Sequence, residues 1–224
     1  MKRVIILLMA FTASATSCHS TPVIPIKTEE MMNKDILIMV RQNDTHGVAK
    51  ALESGVNVNT VDDSNRSLLL IATNNRQTEM AKLLVKHKAD VNQQADNQDS
   101  PFLYAGASGQ TELVQLFLNN GARFDIFNRY NGSALIPACE RGHVETVRLL
   151  ANTRNYPIDH INRLGWTALM EAIVLGDGSK KYQQIVQILK DAGAKMDIAD
   201  HDGITPLQHA LTKGFKEIVD IIKS

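Results

Sequence analysis

The sequence predicts an all-α fold, a solenoid of about six helix-turn-helix repeats that are joined by hairpin turns. Similar segments recur along the chain, and their opening residues Ser67, Ser100 and Ser133 are spaced by 33 residues. Each opening Ser or Thr is followed two residues later by Leu or Phe and five residues later by Ala. A second apolar segment with helical periodicity then follows. Self-similarity with this period is typical of stacked helical repeats.

Residues 1–17 predict export, because they have the pattern of a secretory signal peptide. Two basic residues precede an apolar run, which small residues follow. Two cleavage sites fit this segment. Residues 13–15 (ASA) suit the ordinary signal peptidase, whereas residues 15–18 (ATSC) resemble a lipobox, in which Cys18 becomes the lipidated N-terminus. The lipobox has alanine in the usual leucine position, but we favour lipidation because a tether-like stretch follows the cysteine.

Residues 18–32 predict a lipidated N-terminus and an extended linker, since the stretch is rich in Pro, Ser and Thr. The residue after the cysteine is His19 and not aspartate. In this respect the chain resembles enterobacterial lipoproteins that are sorted to the outer membrane. The expected location is therefore the periplasm, with an outer-membrane anchor at Cys18. The alternative is a soluble periplasmic protein. The other cysteine is Cys139, so no disulfide framework is expected.

The charge balance offers no basis for a nucleic-acid partner. Basic and acidic residues number 24 each, and removal of Lys2 and Arg3 with the signal peptide leaves 22 basic and 24 acidic residues, a formal charge of −2. Such a chain has no general attraction to phosphates or to an anionic membrane. After the signal peptide, no apolar run reaches the roughly 18 residues of a membrane-spanning helix. The only expected membrane contact is a lipid anchor at Cys18.

Each repeat is predicted to begin with a capped helix. The opening Ser or Thr can accept a hydrogen bond from the first helical turn. Pro101 and Pro206 suit the first helical position, which needs no N–H donor. Gly121 and Gly193 suit a left-handed turn after the second helix, whereas Lys88 in that position is expected to be strained. The predicted repeats are 33–61, 62–94, 95–127, 128–161, 162–199 and 200–224.

Two stretches depart from the repeat pattern. The segment "ANTRNYPID" (151–159) lacks the Gly-Ala turn that closes the third and fifth repeats. The segment "LGDGSKKYQQ" (175–184) adds about five residues between the two helices of the fifth repeat. Because insertions in solenoids usually form loops, a surface loop is predicted there.

The repeated segments resemble the ankyrin repeat, whose signature includes T-P-L-H-x-A, a glycine and a Gly-Ala turn. The best copy is "TPLQHALTKG" (205–214), with Gln208 in the usual histidine position. The resemblance covers about residues 33–224 and is specific because the copies agree in register. It implies an ankyrin-repeat solenoid whose hairpins and first helices form a concave face that binds a protein.

The resemblance also implies that variable hairpin and helix-end positions contact the partner. In the fourth and fifth repeats these positions carry aromatic, aliphatic and arginine side chains, among which Tyr, Trp and Arg dominate interface hot spots. The predicted partner-binding residues are Arg129, Tyr130, Arg141, Arg163, Leu164, Trp166, Val174 and Leu175. An alternative applies to Trp166, Val174 and Leu175, which the insertion at 175–184 could fold over and bury.

No catalytic residue, cofactor or metal site is predicted. The sequence has neither a nucleophile elbow nor a phosphate loop, and no two histidines stand four residues apart. We expect a non-enzymatic protein-binding module, monomeric when free, that neutralises or sequesters a protein. By resemblance, one hypothesis is immunity against a secreted toxin effector. The alternatives are a scaffold or protective partner of a periplasmic enzyme such as catalase, and a structural organiser of the envelope.

Overall fold

A computed structural model describes residues 28–224. The predicted signal peptide, Cys18 and most of the predicted linker lie outside the described residues. Within residues 28–224 the chain forms twelve α-helices, and an isolated bridge between Val61 and Ser67 is the only β contact. The helices are α1 (Glu29–Arg41), α2 (Thr45–Glu53), α3 (Leu68–Asn74), α4 (Thr78–Lys86), α5 (Pro101–Ala107), α6 (Thr111–Leu118), α7 (Leu135–Glu140), α8 (Val144–Ala151), α9 (Ala168–Val174), α10 (Lys180–Asp191), α11 (Pro206–Thr212) and α12 (Lys216–Lys223). The predicted all-α repeat architecture is confirmed.

Consecutive helices form antiparallel pairs, and each pair packs on the next. The first helices of the pairs contact one another in a row from α1 to α11, and the second helices form a parallel row from α2 to α12. The repeated alanines lie at the contacts of the first row and have no exposed surface; they are Ala72, Ala105, Ala138, Ala172 and Ala210. The approach is close, because a Cβ on Gly106 would lie 2.7 Å from the Cβ of Ala134. None of the helices between residues 28 and 224 is long and apolar enough to cross a membrane.

The predicted helix caps are confirmed in four of five repeats. Each capping hydroxyl accepts a hydrogen bond from the backbone N–H three residues later, at 3.1 to 3.3 Å; the four are Ser67, Ser100, Thr167 and Thr205. The Gln208 side chain also accepts from the Thr205 N–H, which completes a capping box. Pro101 and Pro206 occupy the first turn, as predicted.

The fourth repeat departs from this rule, and its predicted cap at Ser133 is wrong. Helix α7 begins at Leu135, its N-cap residue is Ala134, and no side chain of its own segment caps it. The cause is Pro137. In the sister helices the residue at this position donates its N–H to the carbonyl of the opening Ser or Thr, but Pro137 has no N–H to donate to the Ser133 carbonyl. Tyr156 compensates, because its hydroxyl accepts a hydrogen bond from the Leu135 N–H at 3.1 Å. The segment that lacks a Gly-Ala turn thus supplies a cap from outside the helix.

The first helix begins before the predicted repeat boundary at residue 33. Helix α1 starts at Glu29, so the last residues that were assigned to the linker are helical. The Thr28 hydroxyl accepts from the Met31 N–H at 3.3 Å, and acidic residues in the first turn suit the helix dipole. The helix packs against α2 and α3 and therefore forms a complete first member of the stack.

The left-handed turns after the second helices are confirmed. Gly121 and Gly193 both have φ of +87°, a conformation that glycine adopts without steric cost. Lys88 takes the same place with φ of +70°. The backbone of Lys88 is therefore strained, as the sequence predicted, because a residue with a Cβ is disfavoured in the left-handed region.

Replacing Lys88 with glycine is expected to raise the free energy of unfolding by about 1 kcal/mol, because relief of left-handed strain outweighs the added entropy of the unfolded chain. Urea unfolding of the purified chain measures the change. The matched control is Lys86→Gly, two residues earlier at the end of α4, which should lose about 0.5–1 kcal/mol. Destabilisation by both variants to the same extent would contradict a strained Lys88.

The insertion in the fifth repeat lengthens a helix more than a loop. The connection 175–179 has five residues, compared with three in the connection 141–143 of the preceding pair. Helix α10 has 12 residues, compared with eight in α8. Tyr182 in its first turn is buried, and its hydroxyl donates to the Glu140 carbonyl at 2.8 Å. The prediction of a surface loop is therefore wrong for most of the added residues, which extend a packed helix.

Candidate protein-binding groove

A groove with a volume of about 470 Å³ crosses the row of first helices at α5, α7 and α9. Five of the eight predicted binding residues line it: Arg129, Tyr130, Arg141, Leu164 and Leu175. They come from the turns before α7 and α9 and from the ends of these two helices. The lining also includes residues outside the predicted set, among them Asp99, Tyr104, Glu140, Asn162 and Glu171. Stacking thus brings separate repeats together into one surface.

Three large apolar side chains of the groove are about half exposed. The exposed fractions are 53% for Tyr130, 52% for Leu164 and 49% for Leu175. The Arg129 guanidinium lies 4.8 Å from the centre of the Tyr130 ring, which orients both side chains at the rim. Exposed apolar residues that cluster beside arginine are typical of protein interaction sites.

Two of the predicted arginines hold the groove together through backbone carbonyls. Arg141 Nη1 donates to the Ala107 carbonyl at 2.6 Å and connects α7 with α5. Arg163 Nη1 donates to the Arg129 carbonyl at 2.8 Å, and the Arg163 N–H donates to the Tyr130 carbonyl at 2.9 Å. Arg163 is exposed but lies outside the groove lining. Its contacts position the turn that carries Arg129 and Tyr130.

Trp166 and Val174 are half-buried and lie outside the groove lining. Leu175 stays 49% exposed, so the hypothesis that the insertion at 175–184 buries it is wrong. The end of α9 is contacted by the last helix pair, α11 and α12. Lys213, which follows α11, donates from Nζ to the Val174 carbonyl at 2.7 Å. The role of Trp166 as a binding anchor stays a prediction.

Glu171 is a buried acid of the groove that the sequence analysis missed. It lies in the first turn of α9 and is 5% exposed. Its Oε1 accepts a hydrogen bond from Asn162 Nδ2 at 2.7 Å, whereas Oε2 is buried without a hydrogen-bond partner among the described residues. Burial, and next the charge of Glu140, raise the pKa of Glu171 to about 7. The available signal was an acid at a variable position of the repeat, where the sister repeats have Ile71, Tyr104, Pro137 and His209.

Asn162 couples this acid to the turn before α9. Its side chain is almost fully buried, and its Nδ2 donates to Glu171. Its Oδ1 accepts from the Leu164 N–H at 2.9 Å and from the Trp166 N–H at 3.1 Å. The Leu164 side chain is therefore presented to the groove by a turn that is tied to the buried carboxyl group.

The acids of the groove differ in their electrostatic surroundings. Burial raises the pKa of Asp99, and the charges of Arg129 and Arg141 oppose this rise. Burial also raises the pKa of Glu171, but there the neighbouring charge is that of Glu140, which adds to the rise. The charge of Asp99 is therefore compensated by arginines, whereas the neighbouring charge at Glu171 is that of a second acid.

The described residues give little support for catalytic chemistry. Between residues 28 and 224, no group of three or more His, Cys, Asp or Glu is arranged to hold a metal ion. Cys139 is free and fully buried, and burial raises the pKa of its thiol well above the ordinary value. Such a thiol stays protonated, whereas a nucleophile needs the thiolate. The groove offers shape, apolar contact and charge.

Comparison with known proteins agrees with this architecture. A family model for ankyrin repeats, in three copies, matches residues 36–128 and 107–200. The chain belongs to the ankyrin repeat family. The ankyrin repeat protein YahD of Escherichia coli K12 is 34% identical over 188 residues, which are 84% of this chain and 94% of YahD.

Solved ankyrin repeat structures are similar over the same extent. An ankyrin repeat domain from Acinetobacter baumannii has a TM-score of 0.82 and 43% identity, and the ankyrin repeat protein EF0377 has a TM-score of 0.82 and 40% identity. Each match covers 84% of this chain and 96% of the solved chain. Ankyrin repeats are typically non-catalytic and mediate binding between proteins, so the groove is a candidate protein-binding surface.

Proposed function

We propose that the chain is a non-enzymatic ankyrin module of the bacterial periplasm whose groove binds a protein partner and neutralises or sequesters it. The partner class that we favour is a secreted toxin effector, which would make the chain an immunity protein. The observation that carries the binding role is the cluster of half-exposed Tyr130, Leu164 and Leu175 in one groove. Exposed apolar side chains are common singly, but a cluster of them beside arginines marks an interaction site.

The construction of the groove supports tight binding. Arg141, Arg163 and Asn162 tie the turns of the groove to backbone groups or to buried side chains. A partner therefore meets a surface that is already ordered, and less free energy is lost in fixing loops on association. Neutralisation of a toxin requires this kind of affinity. The free chain is proposed to be monomeric.

Export and anchoring rest on the N-terminal sequence pattern. A basic start, an apolar run and small residues precede Cys18, and the Pro-rich stretch after it can serve as a tether. A lipid anchor at this cysteine would place the repeats in the periplasm at the outer membrane. A protein held there would meet a delivered effector in the compartment where the effector arrives.

The Cys18→Ser variant is expected to leave the membrane fraction and to accumulate as a soluble periplasmic protein, because the thioether to the lipid can no longer form. Cell fractionation and intact-mass analysis of the N-terminus measure this change. Ser20→Ala is the control, since it alters a neighbouring residue without removing the thiol. Unchanged fractionation of Cys18→Ser would favour cleavage by the ordinary signal peptidase at residues 13–15.

Affinity capture from envelope extract tests the binding role. The wild-type chain is expected to retain a protein that the double variant Tyr130→Ala/Leu164→Ala loses, and mass spectrometry identifies it. If the protein is a toxin, co-expression of the wild-type chain should restore growth of cells that produce it. Capture of a catalase-type enzyme would instead indicate a protective partner. Equal retention by both chains, or retention by neither, would contradict binding at the groove.

A further inference from the structure

The groove has one acid whose buried oxygen is left without a partner. Glu171 is 95% buried, its Oε1 is bonded to Asn162, and its Oε2 has no hydrogen bond among the described residues. Leaving a buried polar atom unpaired is costly, and native proteins satisfy almost all such atoms. Because Glu171 lines the groove, a donor on a bound molecule can supply the missing bond.

The charge around this oxygen indicates which donor fits. Glu140 lines the same groove, and its charge acts on Glu171. Arg129 and Arg141 act instead on Asp99. A second negative charge beside a buried carboxyl group opposes ionisation, and a cation placed between the two removes this cost. The donor should therefore carry a positive charge.

We propose that the groove binds a lysine side chain of the protein partner, with its ammonium group between Glu171 Oε2 and the Glu140 carboxylate. The ammonium group of lysine is compact and can donate a hydrogen bond to a single carboxylate oxygen. The planar guanidinium group of arginine pairs best with both oxygens of one carboxylate. At Glu171 one of those oxygens already accepts from Asn162.

The walls of the groove suit the rest of this side chain. Leu164 and Leu175 are about half exposed in the same groove, and the four methylene groups of a lysine can cover them while its charged end reaches the acids. The proposal rests on the proposed function, because it names a residue of the partner that the groove binds.

An NMR titration of the mature chain tests the proposal directly. The probe is lysine blocked as N-acetyl-lysine N-methylamide, and the matched probe is the norleucine analogue, which has the same stem without the ammonium group. The lysine probe is expected to shift the Glu171 carboxyl carbon and the Asn162 side-chain amide signals in a saturable manner. The norleucine probe should leave the carboxyl signal unchanged.

Variants of the protein complete the test. Glu171→Gln should weaken binding of the lysine probe at least tenfold, and it should stay folded because the amide oxygen can still accept the hydrogen bond from Asn162. Glu140→Gln is a second variant, and Glu145→Gln on the exposed face of α8 is the control. A carboxyl shift with lysine that both groove variants reduce supports the proposal. Absence of this shift, an equal shift with norleucine, or binding that Glu171→Gln and Glu140→Gln leave unchanged overturns it.

The outcome is distinguishable from that of the proposed function. A partner captured by wild-type chain and lost by Tyr130→Ala/Leu164→Ala, together with no lysine shift, would keep the binding role and remove the lysine site. A lysine shift at Glu171 without any captured partner would keep the site and contradict the proposed function.

Discussion

Tyr130→Ala is expected to weaken binding of the captured partner by about 30-fold or more, which corresponds to about 2 kcal/mol. The reason is that a half-exposed aromatic ring at the rim of the groove, oriented by Arg129, loses its whole contact area. The thermal unfolding midpoint should change little, since truncation of an exposed side chain leaves the core intact. Isothermal titration and a thermal melt measure the two effects.

Two leucines with similar exposure test whether binding depends on the groove or on any exposed apolar side chain. Leu164 is 52% exposed in the groove, and Leu211 is 54% exposed in the last pair, outside it. Leu164→Ala should reduce affinity about tenfold, whereas Leu211→Ala should leave it within about twofold. Similar losses of affinity in both leucine variants, or no loss with Tyr130→Ala, would show that the partner does not bind at this groove.

Tyr156→Ala is expected to lower the free energy of unfolding by about 4 kcal/mol, the largest change in stability that we predict. The side chain is 8% exposed, and its ring lies 4.9 Å from that of Phe124. Its hydroxyl is also the only cap on the Leu135 N–H among the described residues. The variant therefore loses core packing and leaves a buried donor unpaired. Chemical denaturation measures the loss.

Tyr156→Phe isolates the capping hydrogen bond. It keeps the ring and removes the hydroxyl, so we expect a loss of about 1–3 kcal/mol from the unpaired Leu135 N–H. Tyr130→Phe is the control, because its hydroxyl is on an exposed residue and should change stability by less than about 0.5 kcal/mol. Wild-type stability of Tyr156→Phe would show that the Tyr156 hydroxyl is not the cap of α7.

The helix caps show how far local sequence rules extend. Ser67 and Thr167 cap their helices as predicted, because the hydroxyl and the N–H that it accepts are three residues apart and need no other element. Ser133 does not cap its helix, because Pro137 has no N–H for the first helical turn. Pro137 was visible in the sequence, but the similarity between the repeats hid its effect. The replacement by Tyr156 joins residues 21 positions apart, and no local rule identifies that contact.

The candidate site was predictable only in part for a related reason. The hairpin positions identified Arg129, Tyr130 and Leu164, because the ankyrin pattern specifies which positions face outward. Glu171 was missed because its position varies between repeats, so the repeat pattern did not show that this side chain is buried. Its relation to Glu140 becomes visible only when α9 is stacked on α7.

The sequence by itself determined the repeat period, the pairing of helices, most of the caps and the left-handed turns, because each depends on residues that are close together in the chain. The tertiary structure alone decided that the added residues of the fifth repeat lengthen α10, that Leu175 stays exposed, and that Glu171 and Glu140 share one groove. These features depend on how neighbouring pairs approach, and side chains from different repeats set that distance. Periodicity predicts that repeats stack, but only the packed side chains decide which groups meet between them.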